Sequence, residues 1–303
     1  MVTLYNLIGG LQMGSIYALI ALGYTMVYGI VKLINFAHGD IMMVGAYAIY
    51  WMMSTTMMKS IAATHPIVAG VVSVLFAVVV CVVLGVLIDR IAYKPLRNAP
   101  RISALITAIG ISLALEITAQ LVFGSGQMNF PTIVPKITIF KVGRRSVNLL
   151  EVLTFAVSML LMIGLTLFVQ TTRTGKAMRA VSEDQGAAML MGVNVDKTIS
   201  ITFGIGCALA AIGSVFYAQK LYYVTPLLGM LPGLKAFVAA VLGGIGNLRG
   251  ALLGGLLLGV VEVYAATLTT SNWEDVAAFI VLVVVLLFRP TGLLGESLGR
   301  ARA

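Results

Sequence analysis

The chain has 303 residues, of which 60% are hydrophobic and only 10% charged, and its mean hydropathy is +1.03. A soluble domain carries roughly 25% charged residues, so these proportions exclude a surface solvated mainly by water and make lipid the solvent. The formal charge of +9 comes without any run of five basic residues, which sets nucleic acid aside as a partner and points to Lys and Arg gathered in loops on one side of a membrane.

A membrane helix needs about 20 apolar residues to cross about 30 Å of hydrocarbon. The start, Met1-Val2-Thr3-Leu4-Tyr5, lacks the basic region of a signal peptide, so the first apolar run is expected to remain as a span. Spans are expected at 4–30, 40–58, 66–89, 102–123, 151–170 and 198–219. Three less regular segments follow at 232–247, 250–270 and 275–289; the first and third are short enough to be half-helices. The expected fold class is all-α: a single polytopic transmembrane domain over 1–303 with about 8–9 transmembrane or half-spanning helices.

Two hydrophilic loops interrupt this series. In 124–150, Ile137–Phe140 and Ser146–Leu149 flank Gly143-Arg144 and read as a short β-hairpin. In 171–197, an Ala- and Met-rich stretch reads as a short helix outside the membrane that ends with Gly192 as its C-cap. Its charged flanks suit either a protein partner or lipid headgroups. Cys81 and Cys207 lie inside apolar runs and read as small core residues, with neither a disulfide framework nor a metal site suggested.

Nine crossings with the N-terminus outside place 13 of the 20 Lys and Arg residues inside and 7 outside. The preference for positive charge on the inner face therefore makes 124–150 external and 171–197 cytoplasmic, and puts the C-terminus in the cytoplasm. A faint internal echo links Leu33–Gly45 with Leu242–Gly254: each has a polar, Gly-containing break between apolar runs. Paired breaks of this kind occur in transporters built from internal repeats.

Asn35, His38, Gly39 and Asp40 form the first break. Such residues are costly in hydrocarbon unless they face protein or water. They read either as a cytoplasmic turn, with Asn35 or Asp40 capping a helix, or as an opened helix lining a solute path. Gly39 there leaves room for its backbone to approach solute or a neighbouring helix. Gly243, Gly244 and Asn247 form the second break. Glu116 and Glu262 lie within apolar segments, and each is expected to face the protein interior, as a helix contact or as a path residue. No phosphate-binding Gly-x-x-x-x-Gly-Lys-Ser/Thr loop, metal-ligating His-Glu-x-x-His or Cys-x-x-Cys is present, so energy for uphill transport is expected from elsewhere and no covalent chemistry from this chain.

The order Asn35-Phe36-Ala37-His38-Gly39-Asp40, then Ser182-Glu183-Asp184 through Ala188-x-x-x-Gly192, then Ala240–Asn247, then Arg289-Pro290-Thr291-Gly292-Leu293-Leu294-Gly295 resembles the permease subunit of branched-chain amino acid ABC importers, over nearly the whole chain. The absence of an N-terminal extension makes it more similar to the shorter of that family's two permeases. The resemblance implies a bacterial inner-membrane protein that translocates leucine, isoleucine and valine. It implies a second homologous permease, two ATP-binding cassette subunits that use ATP-Mg, and a periplasmic solute-binding protein. No cofactor is then expected in this chain. It also makes 173–197 the ATPase-coupling region, with Arg179, Glu183, Asp184, Ala188 and Gly192 as its contact residues. The sequence departs from the wider importer pattern at Gly186, where Glu is common, and lacks the distal Leu-Pro.

Two alternatives stay open: a permease of the same family for urea, short amides or other amino acids, and an ion-coupled carrier using Glu116 or Glu262 as a proton site. The orientation has a direct test. In intact cells, an impermeant thiol reagent is expected to label Ser146→Cys and not Ser182→Cys; the reverse pattern would refute it.

Overall fold

The computed structural model describes residues 2–32, 35–97, 99–142, 145–270 and 273–295. Leu33–Ile34 of the first break, Gly143–Arg144 at the hairpin tip, and Arg300 and Arg302 of the charge tally lie outside the described residues.

Helix α1 (Val2–Val31) is 30 residues long, about 45 Å at 1.5 Å per residue, and its middle is buried on every side. It is followed by α2 (His38–Ser54), α3 (Thr56–Thr64), α4 (Pro66–Ile88) and α5 (Arg101–Phe123). Between α4 and α5 the chain passes through a π turn at Asp89–Tyr93 and a 3-10 turn at Lys94–Leu96. Next come strands β1 (Met128–Asn129), β2 (Thr138–Val142) and β3 (Arg145–Asn148), then α6 (Leu149–Thr171), α7 (Arg173–Glu183) and α8 (Gln185–Leu190). The rest is α9 (Val195–Leu221), β4 (Tyr223–Val224), α10 (Met230–Gly243), α11 (Leu248–Leu268) and α12 (Trp273–Phe288). β2 and β3 pair antiparallel with Phe140 opposite Val147; β1 pairs with β4, against the end of α9.

Among the described residues, six helices are long and apolar enough to cross a membrane, or seven if the bent pair α2–α3 is one span. The other two expected segments are α10, of 14 residues, and α12, of 16, about 21 and 24 Å long and so shorter than the hydrocarbon core. The expected second span, 40–58, is corrected: the chain bends by 80° at Thr55. Thr55 is extended there, and its hydroxyl accepts the Met58 N–H, capping α3. The single helix expected in 171–197 is also corrected to two. Asp184 stops α7 and caps α8, its carboxylate accepting the Ala187 N–H at 3.0 Å. Gly192 takes φ +82° beyond α8, the left-handed turn that glycine adopts without steric cost.

The outer helices show why lipid is the solvent. On α4, Leu75, Val79, Val83 and Leu87 recur every four residues, and all are exposed. A ridge of this spacing is one helix face with nothing polar on it. The inner helices use a different device. Gly10 and Gly14 of α1 face Gly255 and Gly259 of α11: a Cβ on Gly14 would sit 2.6 Å from the Leu256 Cα, and one on Gly255 2.6 Å from the Ala18 nitrogen. Gly243 of α10 meets Gly250 of α11 in the same manner, and Gly254 meets Ala239. Small residues let helix backbones approach closely enough for van der Waals packing to hold them without a hydrophobic drive.

Two groups of charges inside the bundle are paired. The Tyr17 hydroxyl donates to Glu262 Oε1 at 3.0 Å, and Lys235 bridges Glu262 and Asp275, tying α1, α10, α11 and α12. Lys235 is therefore a buried helix residue and not the external loop charge assumed in the tally. Where α4 ends, Asp89 is fully buried and accepts Arg97 at 3.0 Å and Ser200 at 2.5 Å. Arg97 and Lys94 in turn hold Asp196 at the start of α9. Cys81 and Cys207 are both free and buried.

The packing makes a stability test. A Cβ on Gly259 would run into the backbone of Gly14 and Gly10, which cannot yield as a side chain would. Gly259→Val is expected to cost at least about 1–3 kcal/mol and to lower the melting temperature of the purified protein clearly. Gly164→Ala, on the exposed face of α6 with open space around it, is expected to leave it unchanged or slightly raised. Equal melting temperatures for the two variants would contradict glycine-mediated packing.

Candidate functional site

The segment joining α1 to α2 turns into the bundle. Lys32 leaves α1 with φ +57°, and α2 then starts at His38 beside Gly23, about two turns back from the end of α1: a Cβ on Gly23 would meet the His38 ring. Asn35, His38 and Asp40 are all buried, so a simple exposed turn does not form. Neither Asn35 nor Asp40 caps α2 through its side chain.

These residues then point to different places. Asn35 Oδ1 accepts the Tyr93 hydroxyl at 2.7 Å, anchoring the connection to the π turn after α4. The His38 ring packs against Tyr24 with centroids 4.8 Å apart. Gly39 meets α10 backbone to backbone: a Cβ there would strike the Gly229 carbonyl and lie 3.0 Å from the Gly233 Cα. Its neighbour is thus a helix and not open space for solute. Asp40 faces α5, where its Oδ2 accepts the Ser112 hydroxyl; its Oδ1 has no hydrogen-bond partner among the described residues.

A cavity of about 250 Å³ opens beside Asp40. Tyr24, Asp40, Ser112 and Glu116 line it together with Phe36, Ile109, Leu113 and Leu234. Ser112 and Glu116 are four residues apart and share one face of α5. Two carboxylates and a hydroxyl with no cation among the lining residues form a site for a positively charged group. The aliphatic and aromatic walls suit an apolar chain attached to it.

The other candidates lie elsewhere. Glu262 is held by Lys235 and Tyr17. Gly243, Gly244 and Asn247 clasp the C-terminal segment: Leu293 and Leu294 donate their N–H groups to Leu242 and Gly243, and Asn247 Nδ2 donates to the Leu294 carbonyl at 2.8 Å. The Asn247 side chain also caps α11. The structure therefore brings Asp40 and Glu116 to one cavity, with Gly39 packed behind it, and leaves Glu262 and the Gly243–Asn247 turn apart from it.

The segment 173–192 presents a second surface. Gly175, Met178 and Val181 of α7 are buried, with Gly175 against the Phe168 and Val169 backbone. Arg179 reaches the Gln170 carbonyl at 3.4 Å. Glu183 and Asp184 are exposed, while Ala188 is buried under α8. Beyond it Met189, Leu190 and Met191 stand 60%, 90% and 84% exposed, an apolar knob at the tip of the loop. A small cavity of about 100 Å³ separates Met178, Arg179 and Ser182 from Gly29 and Ile30 of α1 and from Gly246.

Ser112, Tyr24 and Lys235 were not singled out from sequence. The signal for Ser112 was its place one turn before Glu116 in an apolar span. For Lys235 it was a lone cation inside an apolar helix, which calls for a buried counter-ion.

Asp40→Asn and Glu116→Gln are each expected to lower uptake at least about tenfold, with normal membrane levels and normal assembly. Unchanged uptake in both would remove the cavity from the solute path. Gly39→Val is expected to reduce the amount of folded protein, because its neighbour is backbone.

A family profile described as the permease component of branched-chain amino acid transport systems matches residues 6–286. The chain is similar to the high-affinity branched-chain amino acid transport system permease protein BraD of Pseudomonas aeruginosa, with 43% identity covering 97% of this chain and 96% of that one. It is 40% identical to LivH of Escherichia coli K12, covering 97% and 96% of the two chains. It is 31% identical to a probable LivH of Methanocaldococcus jannaschii, covering 95% and 91%. With a full-length match of this kind on a bundle of membrane-length helices, the chain belongs to the branched-chain amino acid transport permease family.

Proposed function

We propose that the chain is the membrane permease of a high-affinity importer for leucine, isoleucine and valine. One observation carries the reading: in a chain of this family, the bundle holds a cavity where Asp40 and Glu116 stand beside apolar walls, matching an ammonium group next to an aliphatic side chain. Urea and short amides carry no ammonium to meet these carboxylates. For an ion-coupled carrier, Glu262 is poorly placed, since Lys235 already neutralises it.

In this reading the protein sits in the bacterial inner membrane with its N-terminus outside. It pairs with a second homologous permease, receives solute from a periplasmic binding protein, and is driven by two ATP-binding cassette subunits that hydrolyse ATP-Mg. The chain itself performs no covalent step. The ATPases dock on the exposed rim of α7 and α8, with the Met189–Met191 knob buried on docking and Glu183 and Asp184 at its edge. Helix α7 packs directly against α1, so small movements of α7 pass to α1 by contact. The cytoplasmic half of α1 leads directly to the turn that carries Asp40.

Two measurements test this. Membranes containing the complete importer are expected to take up labelled leucine in an ATP-dependent manner, and a large excess of urea is expected not to compete; failure of leucine uptake would sink the reading. Leu190→Ser with Met191→Ser is expected to reduce ATPase recruitment and uptake together, at unchanged membrane levels. Full recruitment in that double variant would move the docking site off α8. Charge reversal at Glu183 and Asp184 is expected to weaken recruitment less, because exposed rim charges contribute little and Asp184 is already engaged as the α8 cap.

A further inference from the structure

A second and larger cavity, of about 410 Å³, lies at the end of the bundle opposite α7 and α8. Its walls come from the first turns of α1, residues 132–136, the start of α6, the end of α9, and Val263 of α11. It shares no lining residue with the Asp40 cavity. The wall at 132–136 is fixed: Gln219 is buried and accepts the N–H groups of Ile133 and Val134 at 3.2 and 2.9 Å.

Three polar side chains in this cavity lack a full set of partners among the described residues. Lys220, in the last turn of α9, is half-buried and makes no ion pair among the described residues. Glu151, in the first turn of α6, accepts one backbone N–H from Asn148 at 3.3 Å and has no cation at ion-pair distance among the described residues. Gln12 is 5% exposed and makes no hydrogen bond with the described residues. The contrast is with Lys235 and Glu262, which are in direct contact inside the same bundle. A Lys and a Glu placed only for stability would close on each other, since an unpaired charge is costly away from water. Here they stand apart across a cavity of the size that holds small molecules. Val134, Pro135, Leu150 and Val263 supply apolar wall between them, and Lys136 stands exposed at the rim.

We propose that this cavity binds an α-amino acid as its zwitterion. Lys220 takes the carboxylate, Glu151 takes the ammonium, the Gln12 amide completes the polar contacts, and the aliphatic side chain lies against Val134, Leu150 and Val263. The site rests on the permease reading for its solute class and adds a second binding place to the one beside Asp40. It lies on the face read as external, where solute arrives before it enters the bundle.

Gly9 gives a local probe, because it lines the cavity and a Cβ there meets nothing within 4 Å. The full chain carrying Gly9→Cys is reconstituted in phosphatidylcholine nanodiscs, and its alkylation by a polar thiol reagent is followed; the native Cys81 and Cys207 are buried. Saturating leucine is expected to slow alkylation at least about fivefold. Leucinamide, which lacks the carboxylate, and 4-methylpentanoate, which lacks the ammonium, are expected not to. Lys220→Gln or Glu151→Gln in the Gly9→Cys background is expected to abolish protection, Lys220→Arg to retain it, and Asp40→Asn to leave it unchanged. Absence of protection by leucine, protection that survives Lys220→Gln, or protection produced by phosphatidylethanolamine and not by leucine would each overturn the proposal. Leucine uptake by the complete importer without protection overturns this site alone, whereas absence of uptake overturns the permease reading and the site with it.

Discussion

The close approach of α1 and α11 through Gly10, Gly14, Gly255 and Gly259 is the constraint on which the other positions depend. Between helices in lipid there is little hydrophobic drive, and attraction comes from dense contact. Glycine removes the side chains that would hold the backbones apart. Gly250 and Gly254 then bring α10 against α11 by the same means. Because α10 is thereby fixed, its first turn stands where Gly39 must fit, and the start of α2 is placed inside the bundle. The site beside Asp40 is thus a late consequence of where a few side chains are missing.

Charge is handled in two different ways in one molecule. Lys235, Glu262 and Asp275 neutralise each other and tie helices together. Asp89, Arg97, Asp196 and Lys94 do the same where α4 gives way to α5. Asp40, Glu116, Glu151 and Lys220 instead border cavities without ion-pair partners among the described residues. Paired charge holds this fold together, whereas unpaired charge beside a cavity is available to a ligand. The separation matters for a protein that must release what it binds, because a site already neutralised from within has nothing to offer solute.

Much of the architecture was legible in the sequence because hydrocarbon imposes a length on every apolar run. The six long helices follow from that alone, and the two short ones were recognisable as short. Local chemistry was legible in part: Gly192 ends the segment 173–192 with the positive φ that glycine permits, whereas the capping box of Asn148 with Glu151 at α6 was not singled out. The break at Thr55 was not, since the short polar run Ser54-Thr55-Thr56 contains neither glycine nor proline and is flanked by methionines on both sides. The division of α7 from α8 depended on Asp184 turning back to cap rather than continuing the helix. Pairings were the least accessible. Asp40 meets Ser112 across 72 residues, and Lys235 meets Glu262 across 27; composition shows that each charge needs company but not whose. The Gly243–Asn247 break resembled the Asn35–Asp40 break in pattern, yet one clasps the C-terminal segment and the other borders a cavity.

The backbone contact of Gly39 with Gly229 and Gly233 also sets an order on biosynthesis. The two ends of that contact are 190 residues apart in the chain, and at about 5–20 residues per second roughly ten to forty seconds separate their emergence from the ribosome. During that interval α2 has no α10 to rest on, and Asp40 waits for α5 as well. The backbone contact that seats the first turn of α2 is therefore completed only after most of the protein has been made.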